Sequence, residues 1–412
     1  MPILSSSLRL HRLIAPSLFL LCAFTAQAQA QTLARPGWVG SGMSAVSWWK
    51  HGLVYQADPR GFGGLHGVVE HLDYIHSLGV DAVMLSSLGG NSNNAIDPSA
   101  GTMDDVDEIV RRASEYNIRV LVELDAHASD LQARARLWLA HGVAGFRVPG
   151  TTAAQIADLR KTAGGFAGQR VIIGDADTIG AAQLFADPRA GTQEKLAAAS
   201  IRPALEAAQQ TADEGKSVPL LLSDGPSYKR SMTRYSDSAH DVEIAKAVAA
   251  MLITTRAASL LYFGQELGLT DGTNTISFEQ PKKNEQPAPI SVAAGDASPA
   301  SLLNWYRQLS AMSHSNRTIS SGAITVMNHD DQNVLAWVRR PQSISPNTPA
   351  IVVVENLSAQ PVTLSLKEDM QRLRLKGSFL RTLLRSDTGM GAMHLDGMTL
   401  APYAVFIGEL RY

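Results

Sequence analysis

Carboxylates, an arginine and a histidine recur where short apolar runs end: Asp58, Asp125 with His127, Arg147, Asp175 with Asp177, Asp187, Asp224 and Glu266, with Gln56, Ser86 and Gln265 among them. Such a crown suits sugar chemistry. Glycoside hydrolysis sets one protonated acid and one ionised carboxylate on opposite faces of the scissile bond. Each residue has a second use, because a loop leaving a strand commonly ends in Asp or Ser that caps the next helix. The run His141-Gly-Val-Ala-Gly-Phe-Arg-Val-Pro-Gly150 supplies a contrast. It closes a helix, breaks at glycine and continues as a short apolar strand whose tip holds Arg147 and Pro149. Proline has neither a carboxylate nor an N–H, so position 149 cannot attack, donate or ionise.

Residues this far apart in sequence need a frame that gathers them. Short apolar runs at 53–56, 81–86, 119–124, 144–148, 170–173, 183–186, 218–222 and 259–263 read as strands. Helical periodicity fills the intervals at 65–78, 102–116, 131–141, 156–162, 193–212 and 242–255, and a closing helix at 301–313 follows. Strands apolar on both faces and joined by helices imply a parallel sheet, and eight of them imply a closed (β/α)8 barrel of the TIM type, an α/β class. An open doubly wound sheet is the rival, but no Gly-x-Gly-x-x-Gly follows an early strand. Residues 271–299, rich in Pro, Ser, Asn and Lys, read as a surface loop. Beyond residue 317 the period becomes two, with runs at 323–327, 334–338, 351–354, 362–366 and 403–407, which predicts a C-terminal antiparallel β-sandwich. The expected domains are 38–315 and 317–412.

The net charge of −2 over 412 residues, with both signs interspersed, gives no reason to expect nucleic acid or a charged membrane as partner. Arg9 and Arg12, an apolar run at 13–26 and Ala26-Gln-Ala28 predict a signal peptide over residues 1–30, hence a secreted or periplasmic protein with no membrane association after cleavage. The single Cys22 falls inside that segment, so the processed chain is expected to lack a thiol. No His, Asp or Glu spacing for calcium or zinc is present, and no cofactor is expected.

Several segments, in order, carry a family resemblance. Trp48-Trp-Lys-His-Gly-Leu-Val-Tyr-Gln56, Leu65-His-Gly-Val-Val-Glu-His-Leu-Asp-Tyr-Ile-His-Ser-Leu-Gly-Val-Asp-Ala-Val-Met-Leu-Ser86, Ala95-Ile-Asp-Pro-Ser-Ala-Gly-Thr-Met-Asp104, Gly142-Val-Ala-Gly-Phe-Arg147, Leu261-Tyr-Phe-Gly-Gln-Glu-Leu-Gly268 and Leu302-Leu-Asn-Trp-Tyr-Arg-Gln-Leu309 resemble the α-glucosidase branch of the α-amylase superfamily, glycoside hydrolase family 13. The resemblance implies a catalytic barrel with a C-terminal sandwich. It also implies that Pro149 stands at the nucleophile position, Asp175 at the acid and Asp224 at the third carboxylate, with His127 and Arg147 contacting substrate. The family's sugar-gripping loop is reduced to Gly89-Gly-Asn-Ser-Asn-Asn94, and its inserted domain is absent between Asp130 and Arg134.

The expected function is therefore that of a secreted protein of α-glucan or α-glucoside metabolism with hydrolysis lost or severely impaired. Two alternatives stand beside it. One is an inverting hydrolase using Asp175 or Asp177 as acid and Asp224 as base. The other is a protein-interaction module whose contact surface includes Trp38, Trp48 and Trp49. An α-glucan or oligosaccharide is the expected ligand, and a protein partner is left open.

Overall fold

The computed structural model describes residues 48–89, 96–174, 181–183, 196–213, 218–226, 229–282, 285–341, 343, 345 and 347–412. The expected signal peptide, Cys22, Trp38, most of the shortened loop, Asp175, Asp177 and Asp187 lie outside them.

Eight parallel strands form the first sheet: β1 (Leu53–Ala57), β2 (Ala82–Leu85), β3 (Arg119–Glu123), β4 (Gly145–Val148), β5 (Val171–Gly174), β6 (Ala181–Gln183), β7 (Leu220–Leu222) and β8 (Ala258–Tyr262). Their order is β5-β4-β3-β2-β1-β8-β7-β6. β1 pairs with both β2 and β8, which curls the sheet so that first and last strands lie side by side. Period-two alternation then separates two apolar populations. Val54, Met84, Leu121, Ile173, Leu222 and Leu260 meet one another inside the curl. Tyr55, Val83, Val122, Phe146, Leu221 and Leu261 face outward and pack with the helices. That double burial explains why the strands read as continuous apolar runs. This is the (β/α)8 TIM-barrel fold.

The loops after β3 and β4 decide the shape of the mouth. Residues 124–130 run directly from β3 into the helix Leu131–Ala140, so no domain is inserted there. After β4, Gly150 takes φ +75, a left-handed turn that favours glycine. The helix Ala153–Ala163 then starts on a capping box between Thr152 and Gln155.

The C-terminal part is antiparallel. A six-stranded sheet in the order β14-β13-β16-β11-β10-β9 comprises β9 (Ala323–Met327), β10 (Val334–Arg340), β11 (Ile351–Asn356), β13 (Phe379–Arg385), β14 (Met393–His394) and β16 (Val405–Arg411). A two-stranded sheet pairs β12 (Val362–Leu364) with β15 (Met398–Leu400). One face of the larger sheet packs with Met398 and Leu400. The other, through Leu335, Trp337, Val353 and Ile407, joins the core of the barrel's helical layer.

Three local expectations are corrected. The helix expected over 65–78 breaks at His71 (φ −106, ψ 20) into Leu65–Glu70 and Leu72–Ser77. The loop 271–299 contains a helix, Val292–Ala297, capped by Ser291. Strands β13, β14 and β15 were not foreseen, and a register shift between Thr382 and Leu384 shows why β13 lacks a clean alternation.

Candidate functional site

The inward alternation that buries Val54, Met84 and Leu121 places Gln56 and Asp58, Ser86, and Glu123 on the same side toward the mouth. Asp58, 1 % exposed, caps the turn Pro59–Phe62; its Oδ1 accepts the Arg60 backbone N–H and Nε–H, both at 3.0 Å. The Gln56 amide nitrogen and the Ser86 hydroxyl are buried and have no hydrogen-bond partner among the described residues. Tyr262 at the end of β8 faces this ring, and burial, reinforced by the Asp58 charge, pushes its hydroxyl above the usual phenol range.

Arg147, at 9 % exposure, finds its counter-charge on the neighbouring strand. The β3–β4 register sets Glu123 opposite Arg147, and the guanidinium Nη1 donates to Glu123 Oε2 in an ion pair. Glu123 was absent from the candidates drawn from sequence. Its signal was available: a lone acid at the end of an apolar strand beside a strand ending in arginine.

A cavity of about 600 Å³ opens outside the ends of β2, β3 and β4, lined by Ser87, Glu123, Asp125, Asp130, Arg134 and Pro149, with Trp138 behind them. Asp125 is exposed and its Oδ1 accepts the His127 backbone N–H at 2.9 Å. His127 is exposed as well. Its Nε2 lies 3.9 Å from where a Cβ on Gly150 would sit, which sets the ring beside the Pro149–Gly150 turn. The Gln155 amide donates to Ala126 O at 2.8 Å, tying the loop after β3 to the helix after β4. His127 is thus set beside the turn that follows Pro149, while Arg147 turns to Glu123.

Asp224 is 0 % exposed, and its Oδ1 accepts the Ser223 hydroxyl at 2.8 Å and the Ser231 backbone N–H at 3.0 Å, anchoring the short helix Ser231–Arg234. The Gln265 amide donates in turn to Ser223 Oγ at 2.8 Å. Burial pushes the Asp224 carboxyl above its usual range. Glu266 is equally enclosed, its Oε1 accepting Tyr55 and Tyr74 hydroxyls at 2.8 and 2.6 Å. Both acids hold loops to the barrel. Trp48 and Trp49 are partly buried against the barrel interior, as core aromatics would be.

Comparison with known proteins adds to this geometry. A family model described as the catalytic domain of α-amylase matches residues 54–134, from β1 into the helix after β3. A trehalose-6-phosphate hydrolase of Escherichia coli (strain K12) is 40 % identical over 95 residues, 19 % of this chain and 17 % of that protein. An oligo-1,6-glucosidase of Bacillus cereus is 35 % identical over 102 residues, 20 % of this chain and 18 % of that protein. An α-glucosidase of Pediococcus pentosaceus is 32 % identical over 110 residues, 22 % of this chain and 20 % of that protein. The chain therefore spans about a fifth of the length of these curated relatives. Among solved structures, a trehalose-6-phosphate hydrolase of Bacillus licheniformis superposes with a TM-score of 0.74 at 15 % identity, covering 89 % of this chain and 100 % of that one. An isomaltulose synthase of Erwinia rhapontici NX5 gives 0.69 at 16 % identity over 90 % and 100 %. At such identity the superpositions speak for the fold. Over the first three barrel strands the chain is thus similar to the catalytic domain of α-amylase, and the sequence relatives lie on the α-glucosidase-like side of that family.

Proposed function

We propose that this protein is a secreted or periplasmic binder of α-glucans or oligosaccharides in which family 13 hydrolysis has been lost. The observation that carries the reading is Pro149 lining the cavity two residues after Arg147, at the position that the family resemblance gives to the nucleophile. Two of the other acids are otherwise engaged. Glu123 is paired with Arg147, and Asp224 is enclosed as a cap. Glycosidase chemistry works as a unit, so removing one member abolishes nearly all of the rate that the others supply. Binding needs only the cavity and its polar lining. The relatives bear names of hydrolases and glucosidases of such sugars, and an isomaltulose synthase variant of the same fold has been solved with sucrose. The signal-like N-terminus supports the location outside the cytoplasm.

Glu123 favours one second reading, a hydrolase with a rearranged carboxylate, because it lines the same cavity as Pro149. Assay of an aryl α-glucoside alongside calorimetry with maltooligosaccharides separates the two. Binding without turnover is expected. Turnover at near-enzyme rates, abolished in Glu123→Gln or Asp175→Ala, replaces the first reading with the second.

A further inference from the structure

The geometry points to an uncharged sugar, and away from a phosphorylated one, as the ligand of the cavity at the ends of β2, β3 and β4; this rests on the reading that the barrel mouth binds carbohydrate. Three guanidinium groups stand in or at the edge of the cavity, and each is engaged by a carboxylate. Arg134 donates from Nε to Asp130 Oδ1 at 2.8 Å along one helix turn. Arg147 is paired with Glu123 across the β3–β4 register. Arg60 reaches the edge through Ser87, whose Oγ accepts from its Nη2 at 3.2 Å, while its Nε donates to Asp58 Oδ1 at 3.0 Å.

Against these three cations stand four acids. The fourth, Asp125, lines the cavity, is exposed, and has no Lys or Arg partner among the described residues. A phosphate dianion is held by guanidinium or ammonium groups free to turn toward it. Here it would have to displace a carboxylate already seated, within reach of the uncompensated Asp125 charge. A neutral ring meets no such barrier. Its hydroxyls can donate to Asp125 and exchange hydrogen bonds with Ser87 and Ser129, which line the same cavity. The point discriminates among relatives, since sequence relatives and structural neighbours include trehalose-6-phosphate hydrolases.

The test is calorimetric titration of the full chain with trehalose, maltose and the 6-phosphate of each, at low ionic strength and about pH 7.5, where the phosphate monoester is largely dianionic. The neutral sugar is expected to bind at least about tenfold more tightly than its 6-phosphate, and Asp125→Asn to narrow that ratio severalfold. A 6-phosphate that binds as tightly as the neutral sugar, or more tightly, overturns this inference and leaves the carbohydrate reading of the mouth standing. No heat with any of the four sugars overturns that reading, and this inference with it.

Discussion

Glu355 should make the stability of this protein fall as pH rises through the weakly acidic range. It sits in β11 between Leu335 of β10 and Val405 of β16, on the face of the sheet that joins the barrel's core. Its exposure is 0 %, and neither carboxylate oxygen has a hydrogen-bond partner among the described residues. Trp337, on the same face, also leaves its indole N–H unpartnered. Burial alone pushes the Glu355 carboxyl well above its ordinary range of about 4.5. The native protein therefore keeps the proton that the unfolded chain releases near pH 4.5. Below that pH both states are protonated and the residue adds no pH dependence. Above it the unfolded state gains, and native stability declines by about 1.4 kcal/mol per pH unit until the native carboxyl itself ionises.

Glu355→Gln isolates this effect, because the amide is nearly isosteric and does not titrate. At pH 4.5 the variant and the wild type should agree within about 1 kcal/mol, since both bury an unsatisfied polar group. From there to about two pH units higher the gap should widen in the variant's favour, by no more than the slope of about 1.4 kcal/mol per pH unit. Urea unfolding at several pH values between these limits gives the comparison directly. Asp224 and Glu266, also raised by burial, steepen the wild-type curve, but they are common to both proteins and cancel in the difference. Added salt should leave the gap nearly unchanged, because the cause is desolvation and not a neighbouring charge. A gap that stays constant over the range would show that Glu355 is ionised in the native state, and the reasoning would fail.

Other outcomes follow from the mouth and its supports. Arg147→Met leaves Glu123 partly buried without its cation and should cost about 1–3 kcal/mol, discounted for the exposure of the pair; adding Glu123→Gln should recover most of that loss in a double-mutant cycle read by urea unfolding. Gly145→Ala would bring a Cβ to 2.0 Å from Val171 O on the adjacent strand, so thermal unfolding should show a loss of about 3 kcal/mol or failure to fold. Thr152→Ala removes the capping-box hydroxyl and should cost about 1 kcal/mol by the same measurement, while sugar affinity at the mouth stays within about twofold. Pro149→Asp supplies a carboxylate at this position while Asp224 stays enclosed, so an aryl α-glucoside assay should still find turnover several powers of ten below that of a working glucosidase.

The alternation of strands and helices was legible because burial on both faces leaves a continuous apolar signal, as at Val54-Tyr55 and Leu121-Val122. Arg147 was legible for the same reason, as the charged tip of such a run. Its partner was not. Choosing Glu123 over Asp125 depends on which residue the parallel register sets opposite Arg147, and register is a property of two strands together. Asp224 shows the complementary difficulty. From sequence it could be a third carboxylate or a cap; the carboxylate accepts a backbone N–H seven residues later, a partner that no local pattern specifies. The break at His71 is similar, since the apolar stripe continues through it from Val69 to Leu72 and Ile75.

The pairing of Arg147 with Glu123 bears on how such a mouth stays folded around a proline. An arginine at 9 % exposure needs a counter-charge, and one supplied only by the residue at 149 would have made Pro149 costly to the fold. With Glu123 seated across the β3–β4 register, charge balance no longer depends on position 149. The left-handed Gly150 and the Thr152 cap then define the turn without help from a functional side chain. Stability and chemistry are in this way separable at the tip of β4. A barrel built so can carry proline at this tip while keeping the cavity, its lining acids and the strand geometry.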